Sequence, residues 1–209
     1  MRMRLFSAIA TLLLASISVL GCGTGRTAEP VAGLGNSEER AFLSAMVEHH
    51  LASIEMARLA KSRADAPTIA RLADDLIGPQ EREILQMDAI HRRLFGAEVA
   101  PDPDAPARLG LSAREAGLDD DGAIPALEGA PLFDLAFLDR MVAHHRGAIA
   151  LAGAALRLGT DAELRLLAET IRAAREAQIQ EMTDFRADRY GAPTSTGEVD
   201  PSRTTGGAE

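Results

Sequence analysis

The sequence holds one cysteine, Cys22, so no disulfide can close within the chain and stability has to come from a packed core. A chain of 209 residues is long enough to bury one. A basic excess is also missing, since 22 Lys and Arg stand against 31 Asp and Glu, for a formal net charge of −9. A surface of that sign argues against nucleic acid or anionic lipid as a partner and is compatible with attracting cations. No stretch alternates polar and apolar residues as a half-buried strand would, which leaves an all-α chain. No nucleophile triad, phosphate loop or dinucleotide fingerprint is found, so no enzyme activity is expected.

What is present begins with an export segment. Arg2 and Arg4 precede an apolar run from Leu5 to Leu20 that is too short and wrongly flanked for a stable membrane span, so residues 1–21 read as a signal peptide. The run ends in Val19-Leu20-Gly21-Cys22, which resembles a bacterial lipobox: a branched apolar residue three before the cysteine and a small one just before it. That resemblance implies cleavage before Cys22, lipid attachment to its sulfur, and an extracytoplasmic protein anchored to a membrane, in the periplasm or on the outer cell surface. Secretion with a free cysteine is the alternative. Losing Arg2 and Arg4 with the signal makes the remaining chain more acidic still.

The rest is organised around a stretch that occurs twice. Phe42-Leu43-Ser44-Ala45-Met46-Val47-Glu48-His49-His50 returns as Phe137-Leu138-Asp139-Arg140-Met141-Val142-Ala143-His144-His145, and these segments hold four of the five histidines. Phe42/Phe137, Met46/Met141, Ile54/Ile149, Leu72/Leu167, Met87/Met182 and Gly96/Gly191 are all 95 residues apart, with no gap. One unit used twice is the reading. Residues 22–36 form a flexible tether, 37–96 a first helical hairpin, 97–131 a crossover linker, 132–191 a second hairpin and 192–209 a disordered tail. Asn36 with Glu39 caps helix one, and Asp65 before Pro67 caps helix two, which Pro79 should kink. A short helix is expected around Ser112 to Ala116, and Thr160 with Glu163 makes a capping box for the last helix. Two repeated hairpins joined by a long connection make a ferritin-like four-helix bundle the expected architecture.

At about 100° per residue, His50 falls near the middle of the apolar face of helix one with Met46, and His49 falls at its edge; His145 with Met141 and His144 repeat the arrangement. Hairpin arithmetic brings Gln80 and Glu83 within a turn or two of Met46 and His50, while the second copy has Arg175 and Gln178 there. A di-iron bundle would place a glutamate three residues before a histidine. Met46 and Met141 hold that place, and a thioether favours a soft ion, copper(I) above all, over hard ones. Met46, His49, His50, Glu83, Met141, His144 and His145 are therefore the candidate metal ligands. A histidine on an apolar face also serves as a hydrogen-bonded core residue, and that reading stands beside the first, most of all for His49 and His144. Met56, Met87 and Met182 read as core, His91 as a solvated cation at a helix end, and Glu39 and Asp134 as first-turn acids stabilising helix N-termini.

These residues resemble the ferritin-like proteins gathered as domain-of-unknown-function family 305 (DUF305). The family pattern of an acid, Phe, Met, His-His, Ala-Ile-x-Met-Ala and Gln-x-x-Glu-Ile-x-x-Met is met in the first copy by Glu39, Phe42, Met46, His49-His50, Ala52, Ile54, Met56-Ala57, Gln80, Glu83-Ile84 and Met87. The second copy shows Asp134, Phe137, Met141, His144-His145, Ala148-Ile149, Ala152, Ile179 and Met182, and departs at Leu151, Arg175 and Gln178. The resemblance implies a periplasmic copper-binding role in resistance, sequestration or transfer. Two other classes stay open: a structural or protein-interaction envelope domain without metal, and a di-metal redox enzyme, against which the shortage of inward carboxylates speaks. The expected partners are a transition-metal ion and a membrane reached through Cys22, and the sequence leaves open a homodimer in which hairpins swap between chains.

Overall fold

The computed structural model describes residues 35–119 and 122–191. The signal segment, Cys22, most of the tether and the tail from residue 192 lie outside the described residues. Among the described residues there are six helices and no strand: α1 (Ser37–Arg63), α2 (Pro67–Phe95), α3 (Ala105–Arg108), α4 (Ala123–Glu128), α5 (Phe133–Leu158) and α6 (Ala162–Tyr190). None of them is long and apolar enough to cross a membrane. Helices α1 and α2 pack as one hairpin and α5 and α6 as another. The hairpins meet chiefly through α1 and α5, while α2 and α6 touch over a short stretch.

The helix ends show how the hairpins are joined. Asn36 and Glu39 form a reciprocal cap at the start of α1, with Glu39 N–H donating to Asn36 Oδ1 at 2.7 Å and Asn36 N–H to Glu39 Oε2 at 2.9 Å. The other oxygen of Glu39 accepts from Thr160 N–H at 2.6 Å and Asp161 N–H at 2.7 Å, at the start of α6. Asp134, 95 residues on, accepts from Asp65 N–H at 3.0 Å and Ala66 N–H at 2.8 Å, at the start of α2. Each first-turn acid therefore satisfies orphan N–H donors at the N-terminus of the second helix in the opposite hairpin.

This displaces two expected caps. Asp65 is not the cap of α2; the N-cap is Ala66, which has no capping side chain of its own, and Asp134 supplies the acceptor. Thr160 is not the cap of α6 either, because Asp161 accepts from Leu164 N–H at 3.0 Å and Thr160 turns toward Glu39. Helix α2 runs through Pro79 without a break and ends at Gly96, whose φ of 72° is the left-handed conformation glycine tolerates. His91 is not solvated: it is 2% exposed, and its Nδ1–H donates to Ala97 O at 2.6 Å as the chain turns back over it.

Among the described residues, two apolar clusters fill the interior. One gathers Phe42, Met46, Met87 and Leu94 with Leu151, Leu164 and Ile171. The other gathers Met56, Leu72 and Leu76 with Phe137, Met141 and Met182. Each draws on both hairpins, so burying either one locks the hairpins together, at about 1.5–3 kcal/mol for each large side chain removed from water. The methionines read as core, Met56, Met87 and Met182, are all in these clusters. Between the clusters along α1 and α5 lie the four histidines.

The linker does not carry a helix at Ser112 to Ala116. It makes one turn there, closed by Ala116 N–H to Ser112 O at 3.0 Å and ended by Gly117 at φ 67°, and its helices form instead as α3 and α4. The turn lies directly on α5. A Cβ added to Gly147 would come within 2.6 Å of the carbonyl carbon and oxygen of Ala116, so glycine is what lets the linker seat there.

Candidate metal centre

His49 and His144 meet where α1 crosses α5. Their rings stack with centroids 3.7 Å apart and planes 19° from parallel. His49 Nε2 lies 2.9 Å from the carbonyl oxygen of His144, and His144 Nε2 lies 3.0 Å from that of His49. A carbonyl only accepts, so both Nε2 atoms carry the proton.

The neighbouring histidines are fixed the same way. His50 Nε2–H donates to Glu83 Oε2 at 2.6 Å. His145 Nε2 lies 2.9 Å from Gln178 Oε1, and the same oxygen accepts from Arg175 Nη1 at 3.0 Å, which identifies it as the amide oxygen and His145 as the donor. All four rings thus have Nε2 protonated and Nδ1 left with its lone pair. All four Nδ1 atoms are buried and have no hydrogen-bond partner among the described residues.

Electrostatics keep the rings neutral. Burial pushes His49 and His145 well below the usual imidazole range, helped at His49 by the stacked His144 and at His145 by the Arg175 charge. Burial likewise holds His144 down to about 4. His50 is lowered by burial and raised in part by its bond to Glu83. Burial alone would raise Glu83, but the bond from His50 and the charge of Arg175 overcome it and leave the carboxylate ionised below its ordinary value.

The spacing places Arg175 at the second histidine pair but does not disclose its reach to the first. Arg175 stands on α6 in register with Gln80, but its side chain, 1% exposed, crosses to the other hairpin, where Nη2 lies 2.7 Å from Glu83 Oε2. Its 3.3 Å approach to His50 Nε2 brings two donors together and is no hydrogen bond, since the His50 proton goes to Glu83. On the other side Gln80 Nε2–H donates to Ser53 Oγ at 2.9 Å, and Ser53 Oγ–H to Met141 Sδ at 3.5 Å. Gln80 Oε1 has no partner among the described residues. Ser53 had no signal in the sequence beyond its helical spacing from His49.

The structure therefore brings His49, His50, His144 and His145 into one buried layer, with Met46 in the apolar cluster on one side and Met141 in the cluster on the other. Glu83 belongs to the layer, but the oxygen facing His50 is already held by that histidine and by Arg175. His49 and His144, expected at the helix edge, are as buried as the central pair, at 1% and 3% exposed. Among the described residues, no group of three His, Cys, Asp or Glu side chains is placed to hold a metal ion, so an ion here would need methionine sulfur or a turn of the rings. A cleft of about 520 Å³, lined in part by Arg114, Gly117, Asp139 and Arg140, reaches His144 from the linker side.

Among curated proteins, none matches the chain. Solved structures do. CopM in its Cu(I)-bound form is 27% identical over 73% of this chain and 98% of that one, with a TM-score of 0.61. CopM co-crystallised with silver is 28% identical over the same shares, with a TM-score of 0.60. A DUF305 fragment from Deinococcus radiodurans is 25% identical over 74% of this chain and 98% of that one, with a TM-score of 0.64. The model of the domain of unknown function DUF305 matches residues 39–186, from the acid that caps α1 to the last turns of α6, and the chain belongs to that family.

Proposed function

We propose that this protein binds copper(I) in the histidine layer, through imidazole Nδ1 atoms and the thioethers of Met46 and Met141, and holds it for sequestration, resistance or transfer. The observation that carries the reading is the set of four buried, unpartnered Nδ1 lone pairs. An unmet buried acceptor costs about 1–3 kcal/mol, and four in one layer are hard to account for as core packing. The opposite nitrogen of each ring is held by a carbonyl, carboxylate or amide oxygen, the outer-shell arrangement that fixes the tautomer of a metal-bound histidine. Neutral imidazole and thioether suit a soft ion. Similarity to a protein crystallised with Cu(I), with Cu(II) and with silver supports metal binding of the copper class. In this reading Glu83 orients His50 and does not ligate. One carboxylate already matched by Arg175 is poor provision for a di-metal redox centre.

The site is extracytoplasmic in this proposal, with the chain tied to a membrane by lipid on Cys22. Cys22→Ser should release the protein from the membrane fraction without changing its metal affinity.

The deciding experiment is an anaerobic copper(I) competition titration of the fragment from Gly23 onward against a chromophoric chelator, beside His50→Ala/His145→Ala. Tight binding lost in the variant supports the reading. Binding that is absent, or unchanged by the substitutions, favours a structural layer and a protein partner instead.

A further inference from the structure

The charges beside His50 and His145 cancel. Arg114, Asp119, Asp139 and Arg140 line the cleft that reaches His144 from the linker side. The side chains that meet His50 and His145 or their partners are Glu83 from α2 and Arg175 and Gln178 from α6. With the rings neutral, as ligation requires, Glu83 and Arg175 are the two formal charges of that set, joined at 2.7 Å and largely withdrawn from water.

We propose that Arg175 sets the valence of the ion the layer accepts, admitting a monovalent soft cation and disfavouring divalent ones. The proposal rests on the metal-binding reading above. The cost of placing an ion in a low-dielectric interior grows with the square of its charge, so an uncompensated divalent ion costs about four times a monovalent one before any ligand bond is counted. A carboxylate left to itself would offset part of that cost and favour the divalent ion more. Arg175 removes that offset by holding Glu83 as an ion pair.

The placement is specific. Arg175 bonds to Glu83, which holds His50, and to Gln178, which holds His145, so one guanidinium reaches the outer partners of both central histidines. The residue in register with it, Gln80, is neutral and serves Ser53. Arg175→Gln therefore places at the second position the residue found at the first, and leaves Glu83 without its cation.

The test uses the full-length protein in detergent at pH 7.5, with Ag(I) and Zn(II) affinities measured by competition for wild type, Arg175→Gln, Arg175→Lys and Glu83→Gln. Arg175→Gln should raise Zn(II) affinity relative to Ag(I) at least tenfold, and Arg175→Lys, which keeps the charge, should stay near the wild-type ratio. Glu83→Gln, which leaves the arginine uncompensated, should move the ratio the opposite way, and it decides the matter if Arg175→Gln does not fold. Wild type that binds Ag(I), with a ratio unmoved by either charge change, overturns this proposal and leaves the metal reading standing. Wild type that binds neither ion overturns both.

Discussion

His49 and His144 each donate from Nε2 to the main-chain carbonyl of the other, at 2.9 and 3.0 Å, across the contact between α1 and α5. The exchange holds two helices from different hairpins at one point, stacks the rings, and turns both Nδ1 lone pairs away from the backbone that fixes them. Two imidazolium ions at that spacing would repel, so the arrangement belongs to the neutral rings.

Stability without metal should therefore depend on pH in a defined direction. Burial holds His144 down to about 4 and lowers His49, His50 and His145 as well, whereas the unfolded chain titrates near the ordinary value of about 6.5. Between those values the unfolded state binds more protons, so this contribution is complete above about pH 6.5 and is lost as pH falls toward about 4. His144 alone accounts for about 3 kcal/mol. Urea midpoints measured from pH 8 to pH 4 should fall steeply below pH 6.5, and less steeply in His49→Leu/His144→Leu. A wild-type midpoint that stays level down to pH 4.5 would show that the rings are not buried neutral.

The sequence made the helices and the histidine pairs legible because both rest on local spacing. Helical periodicity, the Asn36–Glu39 cap and the stop at Gly96 are decided within a few residues. What a single helix cannot show is what covers it. His49 read as an edge residue because the wheel knew only the face toward α2, whereas α1 also lies against α5. Asp134 capping α2, Glu39 capping α6 and Arg175 reaching Glu83 all cross between hairpins, over 68 to 122 residues, and no local pattern reports such a distance.

Glu39 should be among the most sensitive surface-adjacent positions. Its carboxylate accepts from Asn36, Thr160 and Asp161, and these bonds hold its pKa down against the effect of burial. Glu39→Gln puts an amide NH2 in front of an N–H donor and removes the charge, at an expected cost of about 2–3 kcal/mol in urea unfolding. Asp134→Asn should act alike on α2, and the two costs should add, since the sites share no partner. A cost below about 0.5 kcal/mol for both would mean that water replaces these caps freely.

Two glycines of α5 should respond oppositely to alanine. At Gly147 the added methyl would press on Ala116 and Gly117 at 2.6 Å, so Gly147→Ala has to displace the linker from the helix and should destabilise by about 1–3 kcal/mol. At Gly153 the nearest atom is Arg157 Nη1 at 3.6 Å, the end of a flexible side chain. Gly153→Ala should therefore gain helix propensity and stabilise by about 0.5–1 kcal/mol. Paired thermal melts read the sign, and two changes of the same sign would contradict the close seat at Gly147.

The thioethers separate copper(I) binding from binding by histidine alone. Met46→Leu and Met141→Leu nearly conserve volume, so each should cost less than about 1.5 kcal/mol of stability, somewhat more at Met141 because Ser53 Oγ–H loses its acceptor. If sulfur completes the site, the double variant should lose at least tenfold in copper(I) affinity while its zinc affinity stays near wild type, because imidazole serves both ions and thioether serves the softer one. Equal losses for both metals would point to disturbed packing of the layer, and no loss for either would confine binding to the histidines. The comparison is informative because Met46 and Met141 lie in apolar clusters on opposite sides of the layer, so ligation by both would have to draw the two clusters toward one ion.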